Sequence, residues 1–252
     1  MNSIEEIIAK KPSLDAPLRF YEKAVIFSGR VNTLAIPSRP GQNSYPSEFS
    51  GRIVDCFVSV FDMPAGILAP LKQALELGEI DFTRLPLLEV PAFSLPYSED
   101  DLMTLLFLIS RPFFFKLHEV SRHGEVFGEE GRCPVCGARP SLSSISTDGT
   151  HMRYCSFCGT KGRHDPVGCP LGHDEDTALL NTIGIARESG FTVHTCATCK
   201  SYVKTVDGDL LDRLTPDVAD LMSLPLDVVI QKRGFKRTSP NPIGMVRMSA
   251  GG

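Results

Sequence analysis

The 252-residue chain lacks a hydrophobic segment long enough to cross a membrane. Its best apolar run, Leu102 to Ile109, is followed closely by Arg111, whereas a transmembrane helix needs about 20 predominantly apolar residues. The amino terminus also lacks the basic region and the apolar core of a secretory signal. We therefore expect a cytoplasmic protein whose cysteines stay reduced.

An excess of positive charge is absent as well. The sequence has 26 lysines and arginines against 30 aspartates and glutamates, which gives a net charge of -4 and a pI of about 5.9. A protein that binds nucleic acid mainly through phosphate contacts would be basic. We interpret the one compact basic cluster as a solvated helix end, where the helix dipole favours cations. It consists of Lys232, Arg233, Lys236 and Arg237.

Recognisable catalytic motifs are also missing. No Ser/His/Asp arrangement, phosphate-binding loop or paired-carboxylate motif stands out in the sequence. This absence argues against an enzyme with turnover of its own.

Cysteine, in contrast, is concentrated in one region: seven of the eight cysteines lie between residues 133 and 199. They are the Cys-x-x-Cys pairs Cys133/Cys136, Cys155/Cys158 and Cys196/Cys199, and the single Cys169. A tetrahedral zinc or iron ion takes four soft ligands, and two Cys-x-x-Cys turns from different parts of a chain can supply them. The first two pairs have the spacing of a zinc ribbon and predict a complete metal site, here called site 1.

A disulfide framework and a thioredoxin-like redox pair are the alternative interpretations of these cysteines. Disulfides require an oxidising compartment, and the amino terminus does not direct the chain to one. A thioredoxin-like site uses one Cys-x-x-Cys beside a helix, whereas three pairs here lie among glycine, proline and strand-forming residues. The sequence therefore favours metal binding.

A second unit repeats the first with one ligand changed. Gly172 stands where the pattern of the first unit has its second cysteine, and His173 follows it. An imidazole nitrogen can replace a thiolate on such an ion. The predicted site 2 therefore consists of Cys169, His173, Cys196 and Cys199. His194 is a less favoured fourth ligand, and an empty second site is a further alternative.

Local patterns predict how these units are built. Strands over 141–146 and 150–154 flank the turn residues Asp148-Gly149, and strands over 181–186 and 191–195 flank a second turn at 187–190. A further strand over 202–206 ends at an Asp207-Gly208 turn. Thr215-Pro216 then opens a carboxyl-terminal helix that runs towards Gly234, with a possible break at Pro225.

The amino-terminal half is predicted to be helical. One helix covers Asp15 to Phe27, another stretch covers 48–77 with breaks at Pro64 and Pro70, and a third begins at the Ser98 capping box and kinks or restarts at Pro112. The Phe113 to Phe115 run and Cys56 are predicted as core residues.

The predicted fold class is α+β, with metal ribbons inserted between helical segments. It consists of a helical domain (1–128), a first metal-ribbon unit (129–167), a second metal-ribbon unit (168–210), and a carboxyl-terminal helix and tail (211–252).

Taken in order, the motifs of this chain resemble the formate dehydrogenase accessory proteins. The resemblance is carried by Arg111-Pro112-Phe113 and by residues 132–140, 153–158, 196–204, 220–227 and 234–242. The chain departs from the family pattern at Gly172, where a cysteine is usual, and at 160–164, where a more aromatic segment is typical.

The resemblance implies a cytoplasmic accessory protein without formate oxidation of its own. Such a protein binds the catalytic subunit of a molybdenum- or tungsten-dependent formate dehydrogenase during maturation. It also implies rubredoxin-like ribbons that hold one or two iron or zinc ions. Two other functions stay open: thiol or iron redox chemistry, and nucleic-acid binding by a basic ribbon face. The candidates for that face are Arg132, Arg139, Arg153, Lys161 and Arg163.

Overall fold

The predicted α+β class is confirmed by a computed structural model of the chain. The structure describes residues 4–34, 47–64, 66–81, 95–121, 127, 131–140, 142–164, 169, 180–184 and 190–243. Helices occupy the amino-terminal part, strands follow between residues 142 and 207, and helices return before the last short strand. Within these ranges, no helix combines the length and the hydropathy that a membrane span requires.

In the part of the chain that the structure describes, five α-helices precede the cysteine-rich region. They are α1 (Ile4–Lys10), α2 (Asp15–Thr33), α3 (Ser47–Phe61), α4 (Ala69–Glu76) and α5 (Glu99–Val120). In α2 the buried residues recur at helical spacing, as the sequence predicts, and the helix continues six residues beyond Phe27. The break near Pro64 is confirmed, whereas Pro70 lies in the first turn of α4, where a missing backbone N–H costs nothing. Helix α1 was not predicted.

Helix α5 begins at the predicted capping residue. The backbone N–H of Asp101 donates to Ser98 Oγ at 3.1 Å. Of the two predicted effects of Pro112, a kink or a restart, the restart is wrong, because one helix continues through this proline to Val120. The kink stays a prediction. Proline removes one helical hydrogen bond, and the burial of the residues before it offsets that loss. Phe114 is in the core as predicted, whereas Phe113 and Phe115 are half-buried.

The two predicted ribbons belong to one seven-stranded sheet. Its strands are β1 (Leu142–Ile145), β2 (His151–Tyr154), β3 (Lys161–Arg163), β4 (Leu180–Gly184), β5 (Phe191–Cys196), β6 (Ser201–Asp207) and β7 (Lys236–Arg237). The order is β3-β2-β1-β6-β5-β4, with β7 beside β6. The predicted hairpins form β1–β2 and β4–β5. Residues 185–189, which include the end of the predicted strand 181–186 and most of the predicted turn 187–190, lie outside the described residues. Parallel pairing of β1 with β6 joins the ribbons.

Within the described residues, three helices lie between β6 and β7: α6 (Gly208–Leu211), α7 (Pro216–Met222) and α8 (Leu224–Lys232). The predicted turn at Asp207-Gly208 is instead the start of α6. Thr215 caps α7 as predicted, since its side chain accepts from the Val218 N–H. The carboxyl-terminal helix is broken at Ser223 and not at Pro225, which lies in the first turn of α8. Gly234 has a φ of 84°, the left-handed conformation expected after a helix.

Among the described residues, two hydrophobic clusters pack the elements together. The first contains residues of α2 to α5 together with the first two Cys-x-x-Cys pairs. Within it, the ring centroid of Phe157 lies 4.5 Å from that of Phe114 on α5. The second packs α1, α2, α7 and α8 against one face of the sheet. Both clusters combine residues on either side of position 128, and the four-unit division of the chain stays a prediction.

The interpretation of the basic cluster at 232–237 as a solvated helix end is wrong for one member. Lys232, Arg233 and Lys236 are exposed, but Arg237 is buried. It joins a buried ionic network in which two cations face two carboxylates: Lys204, Arg237, Asp220 and Asp227. The paired carboxylates are the physical reason for its burial, because an unpaired charge would not be stable in the interior.

Candidate metal centre

The turns that carry the cysteines share one backbone conformation. In each of the three Cys-x-x-Cys turns, the residue directly after the second cysteine has a positive φ: 73° at Gly137, 80° at Gly159 and 54° at Lys200. The Gly137 N–H donates to the Cys133 carbonyl at 2.9 Å, and the Gly159 N–H donates to the Cys155 carbonyl at 2.8 Å. This tight turn brings the two cysteines of a pair close together, so both sulfurs can bind one ion. Glycine meets the conformational requirement at the first two positions without strain.

The structure brings together all four predicted cysteines of site 1. Their sulfur atoms lie within 4.8 Å of one another. The Sγ atoms of Cys133 and Cys158 are 3.4 Å apart, and those of Cys136 and Cys155 are 3.6 Å apart. Metal–sulfur bonds of about 2.3 Å give a tetrahedron with an edge of about 3.8 Å, so the donor set fits a thiolate-bound zinc or iron ion. The four cysteines are buried.

The short distances between these thiols shift their pKa values. Hydrogen bonds from Cys136 and Cys155 lower the pKa of Cys133, whereas hydrogen bonds to Cys133 and Cys136 raise the pKa of Cys155. Thiols this close cannot all ionise without a cation between them. A divalent ion would displace the shared protons and stabilise four thiolates at once.

Hydroxyl groups next to two cysteines were missed by the sequence analysis. Thr160 Oγ1 lies 3.0 Å from Cys158 Sγ, and Ser201 Oγ lies 2.8 Å from Cys199 Sγ. His118 Nδ1 on α5 is 3.1 Å from the Thr160 hydroxyl. Such contacts orient ligand sulfurs from outside the ligand shell. A hydroxyl residue two positions after the last cysteine of a turn was the available sequence signal.

The structure brings together three of the four predicted ligands of site 2. The sulfur atoms of Cys169, Cys196 and Cys199 lie within 4.8 Å of one another, with 3.3 Å between those of Cys169 and Cys199. His173 lies outside the described residues. His194 is half-buried on β5 and does not join the three sulfurs in the described part of the chain. The fourth ligand therefore stays a prediction.

Cys56, the eighth cysteine, lies far from both groups in sequence and is half-buried on α3. Burial raises the pKa of its thiol. It is one of the residues packed against the first hydrophobic cluster, in agreement with its predicted role as a small apolar side chain.

A cleft of 240 Å³ opens beside the second cysteine turn of site 1. Its lining residues come from α2, α5, β2, this turn and α7, and include Tyr21, Phe115, Ser156, Gly159 and Asp217. Arg111 contacts two of these lining residues: its Nε donates to the Ser156 carbonyl at 2.8 Å, and its guanidinium also pairs with Asp217. Arg111 therefore connects α5 to both the cysteine turn and α7.

Comparisons with known proteins agree with this architecture. Residues 178–243 match the family model described as FdhE, C-terminal domain. A protein FdhE homolog from Aquifex aeolicus is 32% identical over 117 residues, covering 44% of this chain and 41% of that protein. A protein FdhE homolog from Haemophilus ducreyi is 31% identical over 131 residues, covering 49% of this chain and 42% of that protein. The predicted resemblance is confirmed.

The FdhE likeness extends to the fold. The crystal structure of the FdhE protein from Pseudomonas aeruginosa superimposes with a TM-score of 0.59 over 93% of this chain and 96% of that one, at 21% identity. The alignments with the curated FdhE homologues span less than half of those proteins. The range that matches the FdhE family model contains the Cys196–Cys199 turn and the whole buried ionic network.

Proposed function

We propose that the chain is a cytoplasmic accessory protein that binds the catalytic subunit of a formate dehydrogenase during its assembly. The confirmed FdhE resemblance carries the proposal. The partner is the catalytic subunit of a molybdenum- or tungsten-dependent enzyme, bound before export where that enzyme is exported. The chain has no turnover of its own in this proposal, in keeping with the lack of catalytic motifs in its sequence.

Each cysteine group holds one iron or zinc ion in the proposed protein. Site 1 uses Cys133, Cys136, Cys155 and Cys158, and site 2 uses Cys169, Cys196 and Cys199 with His173 as the fourth ligand. The role of the metal is to hold distant segments of the chain in one rigid arrangement. That rigidity supports a docking function, because little conformational entropy is lost when a rigid surface binds.

Metal binding at site 1 is tested with Cys136→Ser. Removing one of four thiolates should release one ion per chain and make residues 133–160 sensitive to protease. Cys56→Ser is the matched control, since it removes a thiol outside both groups and should retain the wild-type metal content. Metal analysis of protein purified without oxygen, with a visible spectrum, separates coloured ferric thiolate from colourless zinc. Unchanged metal content in Cys136→Ser would reject site 1.

Docking is tested by co-purification with formate dehydrogenase catalytic subunit. The wild-type chain and Cys56→Ser should retain the subunit, and Cys136→Ser should lose it together with the ion. The purified chain should show no formate-dependent dye reduction. Formate oxidation by the isolated chain, or failure of the metal-loaded chain to retain the subunit, would overturn the proposal.

The alternative functions have less support from the geometry. Thiol exchange requires an accessible thiolate, whereas the four cysteines of site 1 are buried. A basic ribbon face would need exposed cations, and Arg153 is only 5% exposed while Arg132 donates to the Gly137 carbonyl. Lys161 and Arg163 are the exposed members of that predicted set.

A further inference from the structure

Helix α5 presents one row of side chains to the second cysteine turn of site 1. Nε of Arg111 donates to the Ser156 carbonyl at 2.8 Å. Four residues later, the Phe115 ring borders Gly159, where an added Cβ would lie 2.7 Å from it. His118 follows three residues after Phe115, and residues at these spacings lie on one face of a helix. The last two turns of α5 therefore face the cysteine turn.

His118 reaches a metal ligand through Thr160. His118 Nδ1 lies 3.1 Å from Thr160 Oγ1, and Thr160 Oγ1 lies 3.0 Å from Cys158 Sγ. The backbone N–H of Cys155 also donates to the Thr160 carbonyl at 2.9 Å. Thr160 is only 4% exposed, so its hydroxyl is placed between the imidazole and the sulfur with little access to water.

The state of the cysteine decides the direction of these two hydrogen bonds. A metal-bound cysteine is a thiolate, which has no proton and can only accept. A hydroxyl carries a single proton, so the Thr160 hydroxyl that donates to the Cys158 thiolate has only its oxygen lone pairs left. His118 Nδ1 faces this oxygen and can bond to it only if Nδ1 carries a proton.

We propose that His118 is a positioning residue of site 1: its Nδ1–H donates to the Thr160 hydroxyl, and that hydroxyl donates to the metal-bound thiolate of Cys158. Hydrogen bonds to an ionised acceptor are stronger than neutral ones, and successive hydrogen bonds polarise one another. Helix α5 thereby stabilises a ligand of the cysteine ribbon from outside the ribbon. The inference rests on the proposal that site 1 holds a metal and is independent of the docking proposal.

The position of the proton on the His118 ring is the direct test. At about pH 8.5 an ordinary imidazole is neutral and carries one proton. Nitrogen NMR of the labelled, zinc-loaded chain shows which ring nitrogen holds it, and the signal that His118→Asn removes belongs to His118. Nδ1 should carry the proton. A ring with a bare Nδ1 would overturn the proposal, because it could only accept the proton that Cys158 requires from Thr160.

Zinc release to a chelator measures what the two hydrogen bonds contribute. The kinetic phase that Cys136→Ser removes belongs to site 1. Thr160→Val keeps the side-chain volume without the hydroxyl and should accelerate this phase about tenfold or more, the usual effect of a partner outside the ligand shell. His118→Leu should accelerate it roughly threefold, because Thr160 can still donate but is no longer oriented.

Two control variants separate the hydrogen bond from packing. His118→Asn places an amide N–H at the position of Nδ1 and should release zinc from site 1 nearly as slowly as wild type. Glu119→Gln changes the exposed neighbour on α5 and should leave the rate unchanged. Equal rates in wild type and His118→Leu would overturn the proposal, as would His118→Asn releasing zinc as fast as His118→Leu.

These measurements also distinguish the failure of this inference from the failure of the proposals beneath it. The ring proton is read in the wild-type chain, so the test holds even if Thr160→Val does not fold. A wild-type chain without zinc at site 1 would reject the metal there and the role of His118 together. Zinc at site 1 beside a bare Nδ1 would reject the role of His118 alone. Neither result depends on whether the chain retains a formate dehydrogenase subunit.

Discussion

Lys204 Nζ lies 2.6 Å from Asp227 Oδ2, and both side chains are removed from solvent. The ammonium also contacts the Asp220 carboxylate at 2.5 Å and donates to the Asp220 carbonyl at 2.7 Å. Arg237 donates to the same two carboxylates. These contacts connect the central strand β6 to α7, α8 and β7, so the network fixes how the carboxyl-terminal helices lie on the sheet.

Removing one cation from this network should destabilise the fold strongly. Lys204→Met leaves two buried carboxylates with one remaining cation, and the expected loss is about 3–5 kcal/mol in the free energy of unfolding. Denaturant titration measures it. Lys232→Met, at an exposed position on α8, should change the free energy of unfolding by less than about 0.5 kcal/mol. Comparable losses in the two variants would contradict the structural role of the network.

The same network should make stability depend on acid pH. Burial opposes the ionisation of Asp227, but Lys204 and Arg237 outweigh it and lower the pKa of its carboxyl group. A lowered folded-state pKa adds stability above the unfolded value of about 3.9, and this contribution is lost as the pH falls through the folded value. The free energy of unfolding should therefore decrease below about pH 4.

Asp227→Asn isolates this contribution from other acid effects. Denaturant midpoints measured between pH 6 and pH 3 should fall less steeply in this variant than in wild type. Asp212→Asn changes an exposed carboxylate and should follow the wild-type profile. Parallel profiles for wild type and Asp227→Asn would show that another group controls the acid response.

Gly159 should tolerate substitution less well than Gly149, although both have a φ of 80°. A left-handed backbone costs a residue with a side chain about 1–2 kcal/mol at either position. At Gly159 an added Cβ would also lie 2.7 Å from the Phe115 ring, whereas Gly149 has open space. Gly159→Ala should therefore lose about 1 kcal/mol or more beyond Gly149→Ala in denaturant titrations.

The contact with Phe115 can be separated from the backbone effect by a double substitution. Replacing Phe115 with alanine in the Gly159→Ala background should recover the additional loss, because it removes the ring that the new methyl group meets. If Gly159→Ala and Gly149→Ala lose the same stability, the contact does not restrict this turn.

The proposed His173 ligand should make site 2 the weaker of the two. Imidazole has a reference pKa near 6.5 against about 8.5 for a thiol, and a site with fewer thiolates holds a soft ion less tightly. His173→Ala should accelerate zinc release to a chelator from site 2 and leave site 1 unchanged. His194→Ala is the matched control and should release zinc at the wild-type rates. The reverse pattern would assign the fourth ligand to His194.

Local signals explain which features could be predicted from the sequence. The Cys-x-x-Cys spacing predicts site 1, and Asp148-Gly149 predicts the β1–β2 hairpin, because each depends on residues close together in the chain. The capping residues Ser98 and Thr215 are recognisable for the same reason. Arg237 appears in a basic run and was expected in solvent, since its carboxylate partners on α7 and α8 are fixed only by the tertiary fold.

The β1–β6 pairing could not be predicted for a related reason. Leu142 pairs with Lys204 across about 60 residues of sequence, and no turn links the two strands. Lys204 even opposes the assignment of a buried strand, because lysine is seldom buried without a partner. Only the fold shows that the two ribbons share a sheet.

The position of β1 between β2 and β6 has a consequence for synthesis on the ribosome. The chain emerges from its amino terminus, so the β1–β2 hairpin is complete before residues 201–207 have been translated. Until β6 arrives, β1 presents unpaired N–H and C=O groups, which can recruit a strand from another nascent chain. A translation product that stops before Ser201 keeps that open edge permanently and should aggregate, even when the four cysteines of site 1 are intact.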